Sequence, residues 1–373
     1  MQTLHRAYFK DSRTMPAIGS QSVELVVTSP PYPMIEMWDD GFSARNPAVR
    51  EALKRCNGRA AFELMHRDLD SVWKEAHRIL KPGGLACINI GDAARTVGDD
   101  FMLYPNHARI LTCLLKLGFT PLPAVLWRKQ TNAPNKFMGS GMYPAGAYVT
   151  LEHEYILIAR KCGKREFTTD EEKRRRRESA IFWEERNAWY SDVWMELKGV
   201  RQHLGKNETR SRSGAFPFEL AYRLISMFSA KGDTVVDPFL GTGTTLRAAV
   251  AAGRNSIGYE IEPEFRQDVF ADLAGLTAQA QQRIRSRIDE HLTFVEQRLA
   301  AGREIKHINR PYRFPVVTRQ ETELLIDLLE AVSPAERDCL RATYSDDPGR
   351  LLDPQRCISA APRSEPNGQL SLF

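Results

Sequence analysis

Thr234-Val235-Val236-Asp237-Pro238-Phe239-Leu240-Gly241-Thr242-Gly243-Thr244-Thr245 is the stretch on which the fold turns. A short apolar run leads in, and an alanine-rich segment of helical character leads out to about Ala252. Glycines between a strand and a helix let the backbone turn tightly and approach a ligand closely. No lysine follows them, which excludes the GxxxxGK[ST] phosphate loop. Leu246 stands where the dinucleotide fingerprint GxGxxG needs its third glycine. The next predicted strand, 255–260, ends in Glu260. A carboxylate there can hold the two hydroxyls of a ribose, so an adenosine without a pyrophosphate fits best.

Working outward, Leu25-Val26-Val27 reads as a buried strand that stops at Thr28-Ser29-Pro30-Pro31-Tyr32. The two prolines fix the Ser29 hydroxyl and the Pro30 carbonyl as acceptors, and Tyr32 adds a flat aromatic face. A planar base with an exocyclic amine suits that arrangement; a rigid turn around a core tyrosine is the alternative. Phe62, Met65, Leu69, Val72, Trp73, Ala76 and Leu80 recur at helical spacing, up to a turn at Lys81-Pro82-Gly83-Gly84. Strands are predicted at 85–90, 122–127 and 155–159, and helices at 107–117 and 217–228. Strands alternating with helices imply an α/β protein with a mostly parallel, doubly wound sheet. The breaker-rich segment 33–60 is expected to be a long, mobile loop. Residues 273–349 read as a helical extension with no chemical motif, and 350–373 as a flexible tail.

The chain has 373 residues, 42% hydrophobic and 27% charged, with a net charge of +5. Those proportions exclude a disordered or collagen-like chain. No apolar run is long enough to span a membrane and no signal peptide opens the sequence, so a cytoplasmic protein is expected. The six cysteines form no CxxC pair, and no metal site is expected. His153-Glu154 is not a metalloprotease motif, because Leu157 stands where HExxH needs its second histidine. Between 160 and 212, 15 Lys and Arg face 10 Asp and Glu, an excess equal to the whole net charge.

Taken together, these motifs resemble the amino-methylating DNA methyltransferases, which modify cytosine N4 or adenine N6. The resemblance runs from about Tyr8 to Glu264. Ser29-Pro30-Pro31-Tyr32 matches the catalytic tetrapeptide of that family. Leu80-Lys81-Pro82-Gly83-Gly84, Trp127-Arg128-Lys129 with Asn132 and Pro134, and Glu152-His153-Glu154-Tyr155 resemble its later motifs. Phe216-Pro217 resembles its cofactor-flanking motif. Asp237-Pro238-Phe239, Gly241, Gly243, Thr244 and Thr245 resemble its cofactor loop, with Glu260 as ribose carboxylate. The catalytic turn precedes the cofactor loop, as in the circularly permuted beta subgroup. The resemblance therefore implies a Rossmann-like methyltransferase sheet with one antiparallel edge strand, whose last strand comes from the N-terminus, and a catalytic domain over 1–272.

S-adenosyl-L-methionine is the implied cofactor, with Asp11 as partner of its adenine. Double-stranded DNA is the implied substrate, its target base flipped out of the helix. Tyr32 would stack on that base, while Ser29 and the Pro30 carbonyl accept hydrogen bonds from its amine and favour a pyramidal nitrogen. Serine at the first position leans toward cytosine N4; adenine N6 is the alternative, and an RNA methyltransferase a more distant one. The implied target-recognition segment, 162–204, holds Lys173-Arg174-Arg175-Arg176-Arg177 followed by Trp183, Trp189, Tyr190 and Trp194, a mixture suited to phosphate contact and stacking. The terminal Gln369-Leu370-Ser371-Leu372-Phe373 resembles the peptide by which bacterial proteins bind the replicative sliding clamp. That clamp, a cognate restriction endonuclease and the nucleoid are the expected associations; no membrane is.

Overall fold

The computed structural model describes residues 1–129, 138–198, 216–345 and 347. Strand β1 (Gln2–Tyr8) opens the chain. Strand β2 (Val23–Thr28) is buried at every position, as a central parallel strand must be. The segment after the Ser-Pro-Pro-Tyr turn is not the long loop expected over 33–60. It holds helices α1 (Asp39–Arg45) and α2 (Pro47–Lys54), which anchor Phe42 and Val49 in the core. Asn46 caps α2 by accepting from the Ala48 amide at 3.2 Å, and Pro47 takes the first helical position. That Asn-Pro pair was the legible signal.

Helix α3 (Gly58–Ile79) buries the predicted apolar stripe. It runs directly into β3 (Leu80–Ile90), so the Lys-Pro-Gly-Gly segment is an irregular start of that strand. Gly83 is required there: its φ is +78°, and a Cβ would lie 2.3 Å from the Arg165 amide nitrogen. A small hairpin of β4 (Ala93–Val97) and β5 (Asp100–Tyr104) follows, then α4 (Asn106–Lys116) and β6 (Phe119–Arg128). A second hairpin, β7 (Met138–Gly139) and β8 (Ala147–Tyr148), precedes β9 (His153–Lys161). Next come α5 (Asp170–Glu178), α6 (Trp183–Trp189) and β10 (Val193–Trp194). Helix α7 (Phe218–Phe228), β11 (Thr234–Asp237), α8 (Thr244–Ala252), β12 (Asn255–Tyr259) and α9 (Phe265–Phe270) carry the strand–glycine loop–helix unit.

The expected helical extension is half right. Helix α10 (Leu273–Ala300) is helical, but β13 (His307–Ile308), β14 (Pro315–Val316), β15 (Leu328–Glu336) and β16 (Cys339–Ser345) are strands. Leu, Ala and Glu give β15 a helix-forming composition, and sheet pairing overrides it.

The main sheet has the order β10-β6-β9-β3-β2-β11-β12-β1-β16-β15. The run from β3 through β2, β11 and β12 to β1 is parallel. The antiparallel strand β9 lies between β3 and β6 rather than at the edge. The β15–β16 hairpin pairs antiparallel with β1 and covers what would be an open edge. Side chains alternate between two cores. Leu25, Val27 and Val235 face α7, α8 and α10, whereas Val26, Ile88 and Val236 face α3 and α4. The parallel strands give the sheet two poles: a carboxyl pole beyond Thr28, Ile90, Asp237 and Tyr259, and an amino pole before Val23 and Thr234.

Candidate active site

Ser29, Pro30, Pro31 and Tyr32 follow β2 directly and stand at the carboxyl pole. Buried Asn106 clamps the turn, donating at 3.0 Å to both the Pro33 and Gly91 carbonyls. The Tyr32 ring closes on Gly91, where a Cβ would lie 3.0 Å from Tyr32 Cε2. The Tyr32 hydroxyl donates to Glu154 Oε2 at 2.9 Å and lies 3.2 Å from Ser29 Oγ. Asn89 Nδ2 donates to the Tyr32 oxygen at 2.8 Å and to Glu154 Oε2 at 2.7 Å. Lys129 Nζ donates to the other Glu154 oxygen at 3.0 Å. Burial, then the Glu154 charge, push the Tyr32 phenol well above its ordinary range, so it stays a neutral donor.

Asn89, Lys129 and Glu154 had no assigned role in the sequence. The signal for Asn89 was a polar residue within the apolar run Cys87-Ile88-Asn89-Ile90, since a buried amide needs partners. Asp92 serves the fold instead: it accepts from the His107 amide at 3.1 Å and from its ring at 2.7 Å, at the start of α4.

The glycine loop lies alongside. Asp237 is buried at the end of β11. One of its oxygens accepts from Thr28 Oγ1 at 2.6 Å and the Phe239 amide at 3.0 Å, the other from Thr245 Oγ1 at 2.5 Å. One carboxylate thus ties the Ser-Pro-Pro-Tyr turn to the glycine loop. Burial raises it to about 6 despite those bonds. Gly241 and Gly243 have φ of +54° and +88°, and Thr244 and Thr245 begin α8. A Cβ on Gly241 would meet nothing within 4 Å, so the loop faces open space that a ligand can enter.

Glu260 closes this space. Its oxygens accept from the Gly241 amide at 2.8 Å and the Glu262 amide at 2.9 Å, and burial raises its pKa. Each carboxylate oxygen has a second lone pair free for a hydroxyl. Asp11 follows β1, which pairs with β12, and so reaches the same pole. Burial alone would raise it, but the Arg13 guanidinium at 2.6 Å holds it below its ordinary range. Phe216 and Pro217 are buried at the start of α7. These carboxylate acceptors and glycines fit an adenosine-bearing cofactor.

The basic run is elsewhere. Lys173, Arg174, Arg175, Arg176 and Arg177 lie on α5, at the amino pole: an Arg175 amino nitrogen is 3.2 Å from where Gly232 would carry a Cβ, just before β11. Four of the five meet acids. Lys173 pairs with Asp170, Arg174 with Glu171 and Glu178, Arg175 with Glu171, and Arg177 with Glu323. Arg176 lies over the Phe167 ring. The run therefore stands at the pole opposite the Ser29 turn. It borders an open cleft at the amino pole, lined by nine Lys and Arg and two Glu. Trp189 and Trp194 are core residues, and Tyr190 donates to the Met227 carbonyl at 3.0 Å. Asn132, Pro134 and Gln369 to Phe373 lie outside the described residues.

Among the described residues, Glu184, His291 and Glu321 bring potential metal-ligand atoms within 4.8 Å. Both His291 nitrogens already face acceptors, Glu184 at 2.7 Å and the Pro315 carbonyl at 3.0 Å. Both Glu321 oxygens also accept protein donors.

The family profile for the N6/N4 DNA methylases matches residues 23–271. The type II methyltransferase M.MthZI of Methanothermobacter thermautotrophicus is 50% identical over 325 residues, covering 87% of this chain and 90% of its own. M.MjaI of Methanocaldococcus jannaschii, also a type II methyltransferase, is 48% identical over 275 residues, covering 71% of this chain and 89% of its own. Among solved structures, a protein of Thermus thermophilus described as a putative DNA modification methylase, in complex with S-adenosyl-L-methionine, superposes with a TM-score of 0.55. It is 34% identical and covers 71% of this chain and 91% of its own.

Proposed function

This chain belongs to the N6/N4 DNA methylase family, and from that premise we propose that it methylates the N4 amine of a flipped-out cytosine at a specific DNA site. It is a DNA methyltransferase that uses S-adenosyl-L-methionine. One observation carries the finer reading: Asp237 bonds Thr28 beside Ser29 and Thr245 in the glycine loop, which brings an amine acceptor and a cofactor pocket to one place.

When bound, the cofactor supplies an electrophilic methyl group on a sulfonium. Gly241, Gly243 and Glu260 would hold its adenosine, with Asp11, Phe216 and Pro217 flanking. The exocyclic amine of cytosine is a weak nucleophile because its lone pair is spread into the ring. Ser29 Oγ and the Pro30 carbonyl accept its N–H bonds and favour the pyramidal nitrogen of the transition state. Tyr32 stacks on the base, its hydroxyl held by Asn89 and Glu154 so that the ring keeps its angle. Holding both reactants in one pocket supplies much of the remaining acceleration.

Serine at position 29 supports cytosine. Adenine N6 is the second reading, because the family profile spans both reactions. The turn precedes the loop, and β1 lies parallel to β12. That order supports the permuted beta subgroup. Two relatives are type II methyltransferases, which supports a partner endonuclease. The sliding clamp is a partner proposed from the terminal peptide alone; pull-down with and without its last five residues tests it.

The deciding experiment is expression in a methylation-deficient bacterium, followed by single-molecule genome sequencing and nucleoside mass spectrometry. N4-methylcytosine at one recurring site is the expected result. N6-methyladenine keeps the mechanism and overturns the base; no modified DNA base moves the substrate to RNA.

A further inference from the structure

We propose that the β7–β8 hairpin is a wedge that enters the base stack of duplex DNA and fills the gap left by the flipped base. The inference rests on the DNA-methyltransferase reading and names the element that opens the duplex for it.

The hairpin springs from the active site. It lies between β6, which ends beside Lys129, and β9, which carries Glu154 near its start; both residues meet in the Tyr32 network. Its Tyr148 stacks on Phe101 of β5, with centroids 4.7 Å apart and rings within 15°. The β4–β5 hairpin in turn begins just past Gly91, on which Tyr32 rests.

The hairpin is also built to present its tip. Gly139 and Gly141 have φ of +66°, and a Cβ on Gly139 would lie 2.1 Å from the Gly146 carbonyl oxygen. The Ser140 amide donates to the Gly146 carbonyl at 2.9 Å, and Ser140 Oγ donates to the Tyr143 carbonyl at 2.6 Å. This bracing leaves Met142 85% exposed, Tyr143 78% and Val149 84%. Large apolar side chains presented to water on a braced hairpin mark a contact surface.

The chemistry selects the occupant. Residues 138–151 include no charged side chain, so the tip is unsuited to phosphates. Flat and flexible apolar groups, here tyrosine and methionine, suit insertion between bases. Only residues 149–152 separate β8 from β9, whose Glu154 holds Tyr32, so the hairpin and the turn that receives the base can act on one duplex.

The test uses the full chain with Met142→Ala and Tyr143→Ala combined, both exposed and remote from the core. The substrates are two short duplexes carrying the site found by genome sequencing, one with the target base paired and one with it mispaired. On the paired duplex kcat/KM is expected to fall at least about tenfold, the unstacking no longer being offset. On the mispaired duplex, where the base leaves the stack easily, variant and wild type should agree within about twofold. Equal loss on both substrates, or no loss on either, overturns the wedge. So does a change in sedimentation caused by the variant, which would make the tip a contact between copies of the chain. If the wild type methylates neither duplex, the DNA reading itself falls, and the wedge with it.

Discussion

The two poles of the sheet use charge in opposite ways. At the carboxyl pole, three carboxylates with little exposure hold the turn, its tyrosine and the glycine loop in place. Asp237 ties turn to loop, Glu154 holds Tyr32, and Glu260 shapes the glycine turn. At the amino pole, helix α5 carries exposed charges and pairs most of its cations with neighbouring acids. Buried charges fix geometry because leaving one unpaired costs several kcal/mol, whereas exposed pairs contribute about 0–1 kcal/mol each. Density of charge along the sequence is therefore a poor guide to where the chemistry sits.

The contrast breaks most easily at Ser29. Ser29→Ala should lower kcat by about 10²–10³-fold, as loss of one transition-state hydrogen bond does, with cofactor affinity within about twofold by calorimetry. Equal loss of both would make the turn structural.

Asp237→Asn tests the buried tie through pH. A carboxyl raised from 3.8 to about 6 favours the protonated folded state, so its contribution to stability is greatest below about pH 4 and fades as pH rises through 6. Wild-type stability relative to the variant should fall over that window by up to about 3 kcal/mol in denaturant unfolding, then stay level. A difference that stays flat with pH would show that the tie titrates normally, and one that grows with pH would show a lowered carboxyl.

Glu154→Gln keeps the shape and removes the charge beside Tyr32. Turnover should fall about tenfold while cofactor affinity holds, since the residue acts through the tyrosine and not on the donor. An unchanged turnover would reduce the network to packing.

The smallest effect belongs to the amino pole. Replacing Lys173, Arg174, Arg175, Arg176 and Arg177 by alanine should shift the salt dependence of DNA affinity by less than about one unit of log–log slope. A shift near five, one per cation, would bring the duplex to α5 and erase the contrast between the poles.

Legibility followed the same division. The glycine loop, Glu260 and the Ser-Pro-Pro-Tyr turn were readable because each packs its chemistry into consecutive residues. Asn89 was not, and Lys129 and Glu154 showed only as parts of motifs without a role, because strands β3, β6 and β9 bring the three together only in the folded sheet. The 33–60 segment hid its helices behind breakers, and one of those, Pro47, starts a helix. Strands β15 and β16 were hidden by composition: Leu328-Leu329-Glu330-Ala331 says helix locally, and only pairing with β1 through β16 makes it sheet. The ion pairs of the basic run were not legible, because sequence shows charge and not its partners.

The place of β1 has a consequence for how the chain is made. This strand is synthesised well before its sheet neighbours, β12 and β16, with His5 paired to Ser256 and Leu340. At roughly 5–20 residues per second, about 12–50 s pass on the ribosome before β12 emerges, and longer before β16 does. Through that interval the first strand has no permanent partner, and its open edge is a site for mispairing. The polar, charged pattern of Gln2, His5 and Arg6 keeps that waiting edge soluble. An enzyme in which β16 seals β1 is a late folder, its sheet closed only after Ser345 has been translated.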